Sequence, residues 1–77
     1  MLVAVEFVGP MRRPWRERKR EVEAVDAATI AELLVTLGYA EPESRHFAFT
    51  LNGVRATLTS PLAARDRLAV LLMVGGG

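Results

Sequence analysis

The chain has 77 residues, no cysteine, one histidine, and ten basic against nine acidic side chains. That length holds one domain with one core, and the missing Cys and lone His exclude disulfide staples, zinc sites and iron–sulfur sites. A net charge of +1 argues against a globally basic nucleic-acid binder and against an acidic disordered chain, while 51% hydrophobic residues can stabilise a core by packing alone.

Leu2 to Val8 carries Val3, Val5 and Phe7 on one face and Leu2, Ala4, Glu6 and Val8 on the other. A strand apolar on both sides belongs in the centre of a sheet. Gly9-Pro10 ends it, because proline has no N–H for a ladder. A second strand is predicted over Lys19 to Val25, where charged and small apolar residues alternate. Its charges suit a sheet edge, where they discourage pairing with other chains.

The spacing then predicts a helix. Thr29-Ile30-Ala31-Glu32 matches the capping box, in which hydroxyl and carboxylate satisfy backbone N–H groups without helical partners. Ile30, Leu33, Leu34 and Leu37 fall on one stripe, and Gly38 stands where a helix closes with a left-handed residue. Glu41 to Arg45 reads as a polar loop, and Phe47 to Leu51 as a strand with both phenylalanines facing the core. Asn52-Gly53 predicts a tight hairpin, with Val54 to Thr57 returning as the partner strand. Leu58 to Asp66 crosses over, and Leu68 to Val74 is a last strand, apolar on both faces and so central. The fold class is α+β: β-β-α-β-β-β, a mixed sheet packed on one helix, with the first and last strands side by side. The longest apolar run, Leu68 to Val74, is far too short to cross a bilayer, and the N-terminus lacks a basic leader. A soluble cytoplasmic protein is the expectation.

This element order, with an apolar last strand running into glycines, resembles the ubiquitin-like β-grasp sulfur carriers of the MoaD/ThiS family. The residues that carry the resemblance are Thr29-Ile30-Ala31-Glu32-Leu33-Leu34, Leu51-Asn52-Gly53, Leu62-Ala63-Ala64-Arg65-Asp66-Arg67-Leu68 and Val74-Gly75-Gly76-Gly77. It spans essentially the whole chain, as a β-grasp domain over 1–74 and a flexible glycine tail over 75–77.

The resemblance implies that an E1-like enzyme adenylates the terminal carboxylate with its own ATP and magnesium. A thiocarboxylate then forms and gives its sulfur to an acceptor such as a molybdopterin synthase large subunit or a thiazole synthase. On that reading Gly77 is the site of adenylation and sulfur attachment, and Gly75 and Gly76 pass through the partner's channel. The carrier is then a substrate or small subunit and not itself an enzyme. Glycine suits such a tail because it has no side chain to clash and reaches backbone angles closed to other residues. The acceptor pathway stays open among molybdopterin, thiamine, tRNA thiolation and protein conjugation. Two other classes also stay open: a β-grasp interaction module with an inert tail, and a ubiquitin-like protein modifier without a sulfur-carrier role.

The residues outside the tail speak more weakly. Arg12, Arg13, Arg16, Arg18, Lys19 and Arg20 surround a single acid, Glu17, and a tryptophan, Trp15. A basic run with an aromatic could bind nucleic acid by charge and stacking. It could also be a solvated loop, or a docking element in which Arg12, Arg13, Arg16 and Arg18, with Met73, meet a protein partner. His46 has no motif that would place it in a relay, and Glu41 with Glu43 is far short of a cation site. No glycine-rich loop leads into a helix with Lys-Ser or Lys-Thr, so ATP is expected on the partner.

Overall fold

The computed structural model describes residues 1–9 and 11–72. Seven elements occur in order: β1 (Leu2–Val8), β2 (Lys19–Glu23), α1 (Ile30–Thr36), α2 (Glu41–Ser44), β3 (Phe47–Leu51), β4 (Val54–Ala56) and β5 (Arg67–Leu72). The strands form one sheet in the order β2-β1-β5-β3-β4. β1 and β5 are parallel, and every other pairing is antiparallel. The two strands apolar on both faces therefore lie side by side at the centre, and charged β2 is an edge.

The core results from the period of two along each strand. Val3, Val5 and Phe7 are fully buried, as is Val70, with Phe47, Phe49 and Leu68 close behind. Ile30, Leu33 and Leu34 of α1 pack into the same cluster. At the start of α1 the Glu32 amide donates to Thr29 Oγ1 at 3.2 Å, and the Thr29 amide donates to Glu32 Oε1 at 2.8 Å. At its end Gly38 has φ +99° and donates to the Val35 carbonyl, while the Tyr39 amide donates to the Leu34 carbonyl. Both ends thus satisfy backbone groups that the helix itself leaves without partners.

Four details differ from the expected pattern. Glu41–Ser44 forms one turn of helix instead of a loop, begun by Pro42 and closed by Ser44 Oγ donating to the Glu41 carbonyl at 3.0 Å. A proline in the first turn of a helix removes an N–H that has no partner there in any case. β2 ends at Glu23, two residues early. The chain there turns away through Ala27 at φ +64°, leaving Val25 79% exposed. β4 ends one residue early, at Ala56. β5 begins one residue early, at Arg67, whose amide is held by Asn52 Oδ1 at 2.9 Å. The expected end of this strand at Val74 lies outside the described residues, as does the boundary drawn between 74 and 75.

Candidate functional site

Strand register gathers the features of interest at one end of the sheet. Val8 lies opposite Leu71 in the parallel pair, and Phe47 lies opposite Leu72 in the antiparallel pair. The chain therefore leaves β5 between the end of β1 and the start of β3. The connection from β1 to β2 and the short helix α2 flank the same end, because each adjoins a strand terminus there. Met73, Gly75, Gly76 and Gly77, the tail residues singled out from the sequence, lie outside the described residues.

The opposite face of the sheet from α1 is open among the described residues. Its central positions are small or aliphatic: Ala4 opposite Arg67, Ala69 opposite Glu6 and Thr50, and Leu71 opposite Val8 and Ala48. These side chains are half-exposed apart from the more open Val8 and Arg67. A shallow depression of about 360 Å³ lies here, with Ala4 and Ala69 in its lining and Glu6, Lys19, Thr50 and Arg67 contributing polar groups. Low relief and a mixture of apolar centre and charged rim suit a protein surface better than a small molecule.

The basic segment is anchored to the domain by its aromatics. Trp15 sits edge-to-face on Phe7 with ring centroids 5.5 Å apart, and the Arg20 guanidinium lies 5.2 Å from the Trp15 ring centroid. The Tyr39 hydroxyl donates to the Arg12 carbonyl. The Arg12 guanidinium in turn lies 4.5 Å from the Tyr39 ring centroid and donates to the Glu43 carboxylate through Nη2 at 2.7 Å and Nε at 3.3 Å. Burial pushes the Tyr39 phenol above its ordinary pKa, and the hydrogen bond to Glu43 raises that of Arg12. Trp15 Nε1 is buried without a hydrogen-bond partner.

Arg12, Arg13, Arg16 and Arg18 are all exposed, and Arg12 is the one of the four that holds the segment to α2 through an ion pair among the described residues. The sequence places all four in one docking group; of these, Arg12 is paired to Glu43, and the other three have no ion pair among the described residues. Tyr39, which sequence reasoning passed over, is 2% exposed and joins Phe7, Phe47 and Arg12 into one unit. A signal for it existed: an aromatic directly after the glycine that closes a helix is a common site for a core contact. His46 is exposed, and Phe47 and Phe49 are core residues. Among the described residues no group of three or more His, Cys, Asp or Glu side chains could hold a metal ion.

A family model describing the ThiS family matches residues 5–77. The chain belongs to the ThiS family. No curated protein matches this ThiS-family chain in sequence. Among solved structures, its fold is similar to SAMP1 from Haloferax volcanii, with a TM-score of 0.76, 21% identity and 100% of each chain covered. It is similar also to a second structure of small archaeal modifier protein 1 from H. volcanii, with a TM-score of 0.69 and 18% identity over 95% of this chain and 98% of that one. A third similar structure is a protein–protein complex of subunits 1 and 2 of molybdopterin-converting factor from Helicobacter pylori 26695. There the TM-score is 0.66 and the identity 28%, with 100% of each chain covered. The ThiS-family chain therefore has a ubiquitin-like β-grasp fold. Among the described residues no helix is long and apolar enough to cross a membrane.

Proposed function

We propose that this protein carries sulfur on its C-terminal carboxylate. The Gly77 carboxylate attacks the α-phosphate of ATP bound with magnesium to an E1-like activating enzyme, forming the acyl-adenylate and releasing pyrophosphate. A sulfide sulfur that attacks the acyl carbon displaces AMP and leaves the thiocarboxylate directly. A donor protein's persulfide displaces AMP to form an acyl disulfide, which a second thiol of the donor or activating enzyme cleaves, releasing the thiocarboxylate and leaving a disulfide on the partner. The chain has no cysteine, so the sulfur comes from outside and is held on the backbone end. The family match that runs through Gly75-Gly76-Gly77 is the observation that carries this reading.

The chain's own part is presentation. β5 is gripped on both sides by β1 and β3, so the residue from which the tail departs is held by a buried scaffold. Glycines beyond it can pass a channel too narrow for a side chain, at roughly 3.3–3.6 Å per extended residue. Ordering them costs on the order of 1–2 kcal/mol per residue, which contacts on the open sheet face and its end offset. The likeness to the molybdopterin-converting factor complex favours a molybdopterin synthase large subunit as acceptor, with thiazole synthase as the runner-up. Acting as a substrate or small subunit, the protein needs no catalytic residue of its own.

Intact-mass analysis after incubation with the activating enzyme, Mg-ATP and a sulfur donor is the direct test. Replacement of one oxygen by sulfur at Gly77 is expected, and its absence sinks the proposal. A protein modifier would instead join the Gly77 carboxyl to an amine of another protein. The two outcomes separate by mass, and an inert-tail interaction module would show neither.

A further inference from the structure

The basic segment is the feature that the carrier chemistry leaves unused, and its charges do not cancel. At the end of the sheet where β5 finishes, each nearby acid is already matched to an arginine: Glu43 to Arg12 at 2.7 Å, Glu17 to Arg20 at 2.9 Å, and Glu41 to Arg45 at 3.3 Å. Lys19 lies opposite Glu6 in the β1–β2 register. Among the described residues Arg13, Arg16 and Arg18 have no acidic partner, and all three are exposed. Three uncompensated guanidinium groups therefore stand beside the strand end from which residues 73–77 continue.

The segment that carries them is held in place. Trp15 rests on Phe7, the Phe7 amide donates to the Arg18 carbonyl at 2.8 Å, and the Arg12 carbonyl accepts from Tyr39. A charged surface fixed in advance loses less freedom on binding than a floppy one. Resting on the carrier reading, we infer that Arg13, Arg16 and Arg18 form a basic rim that docks an acidic protein surface on the activating enzyme, around the opening that receives the tail. The rim draws the two proteins together and orients the tail toward that opening before its glycines enter. Protein is the better occupant than nucleic acid because Trp15, the one tryptophan, is edge-on to Phe7 with Arg20 over its ring. Sequence-tolerant nucleic-acid binding relies on aromatic faces open to stacking bases.

The test is rapid-mixing association of the full chain with its purified activating enzyme, between about 50 and 300 mM NaCl, a range over which charge steering weakens sharply. Wild-type association slows steeply with salt. The triple variant R13E/R16E/R18E associates about 10- to 100-fold more slowly at low salt, and its salt dependence is flat or reversed. Arg65→Glu makes the same charge change per residue at the other end of the sheet and leaves the rate within about twofold, whereas Arg16→Glu alone slows it severalfold. Thermal melts of each variant report folding separately, and Arg16→Glu carries the test if the triple variant unfolds. The inference is overturned if the triple variant associates like wild type, or if Arg65→Glu slows association as much as Arg16→Glu does. It is overturned in favour of nucleic acid if a short single-stranded RNA binds wild type but not the triple variant while enzyme association is unchanged. Intact-mass detection of the acyl-adenylate at saturating enzyme keeps the two ideas apart. No adenylate on the wild-type chain removes the carrier reading and the rim with it; adenylate with charge-insensitive association removes the rim alone.

Discussion

Replacing Asn52 by alanine should unfold the protein more readily than its exposed turn position suggests. Asn52 has φ +52° and precedes Gly53 at φ +83°, the left-handed pair that a tight hairpin turn requires. Its side chain also reaches across to the strand entry: Nδ2 donates to Asp66 Oδ1 at 3.0 Å, and Oδ1 accepts from the Arg67 amide at 2.9 Å. Two such bonds contribute about 0.5–1.5 kcal/mol each. Alanine adds about 1 kcal/mol of left-handed strain, which asparagine relieves in part and glycine avoids. Asn52→Ala should therefore cost about 2–4 kcal/mol, and Asn52→Gly about 1–3 kcal/mol by loss of the two bonds alone. Urea denaturation followed by far-ultraviolet circular dichroism measures both, and a difference of about 1 kcal/mol corresponds to roughly 4–8 °C in Tm for a domain of this size. If the glycine variant matches wild type, the side-chain clip is idle; if alanine and glycine variants coincide, the strain argument is wrong.

Thr29→Ala breaks the capping box and should lower stability by about 1 kcal/mol in the same urea assay, whereas Thr29→Ser should be close to neutral. Tyr39→Phe removes the hydroxyl donor to Arg12 and should cost about 1 kcal/mol near neutral pH. Because burial raises the folded pKa of Tyr39 above the ordinary value of 10.0, the wild-type stability linked to this phenol is fully present below that pH. It is lost as pH rises through the raised value. Tyr39 is the sole tyrosine, so the gap between wild type and Tyr39→Phe should narrow in urea titrations above about pH 10, and a constant gap would contradict the assignment. Leu71→Glu places a charge on the open sheet face near the end of β5, and should weaken acceptor binding at least about tenfold by calorimetry while the melting temperature changes little. One bulky residue added after Gly77 should abolish adenylation, read by intact mass, without altering the fold.

Where a signal is local in the chain, it is legible from the residues alone. The capping box at Thr29, the helix close at Gly38 and the Asn52-Gly53 turn each depend on a few neighbouring residues and their backbone angles. Central placement of β1 and β5 is legible too, because these two strands carry the most apolar residues, although their second face is open among the described residues. The Glu41–Ser44 turn escapes such a reading because Glu-Pro-Glu-Ser has no apolar period to betray a helix.

The candidate site divides along the same line. Its glycine tail and its run of arginines are facts of composition and order, visible in the bare chain. Which arginines are spent and which remain is decided by partners distant in the chain. Arg12 meets Glu43 only because β1 and β3 both flank β5, which brings the segment leaving β1 and the short helix leading into β3 to one end of the sheet. Tyr39 becomes an anchor, and Asn52 a clip, for the same reason. Local chemistry determined the elements; strand order and register, set by burial of the shared core, decided which charges the domain leaves unmatched beside the root of its tail.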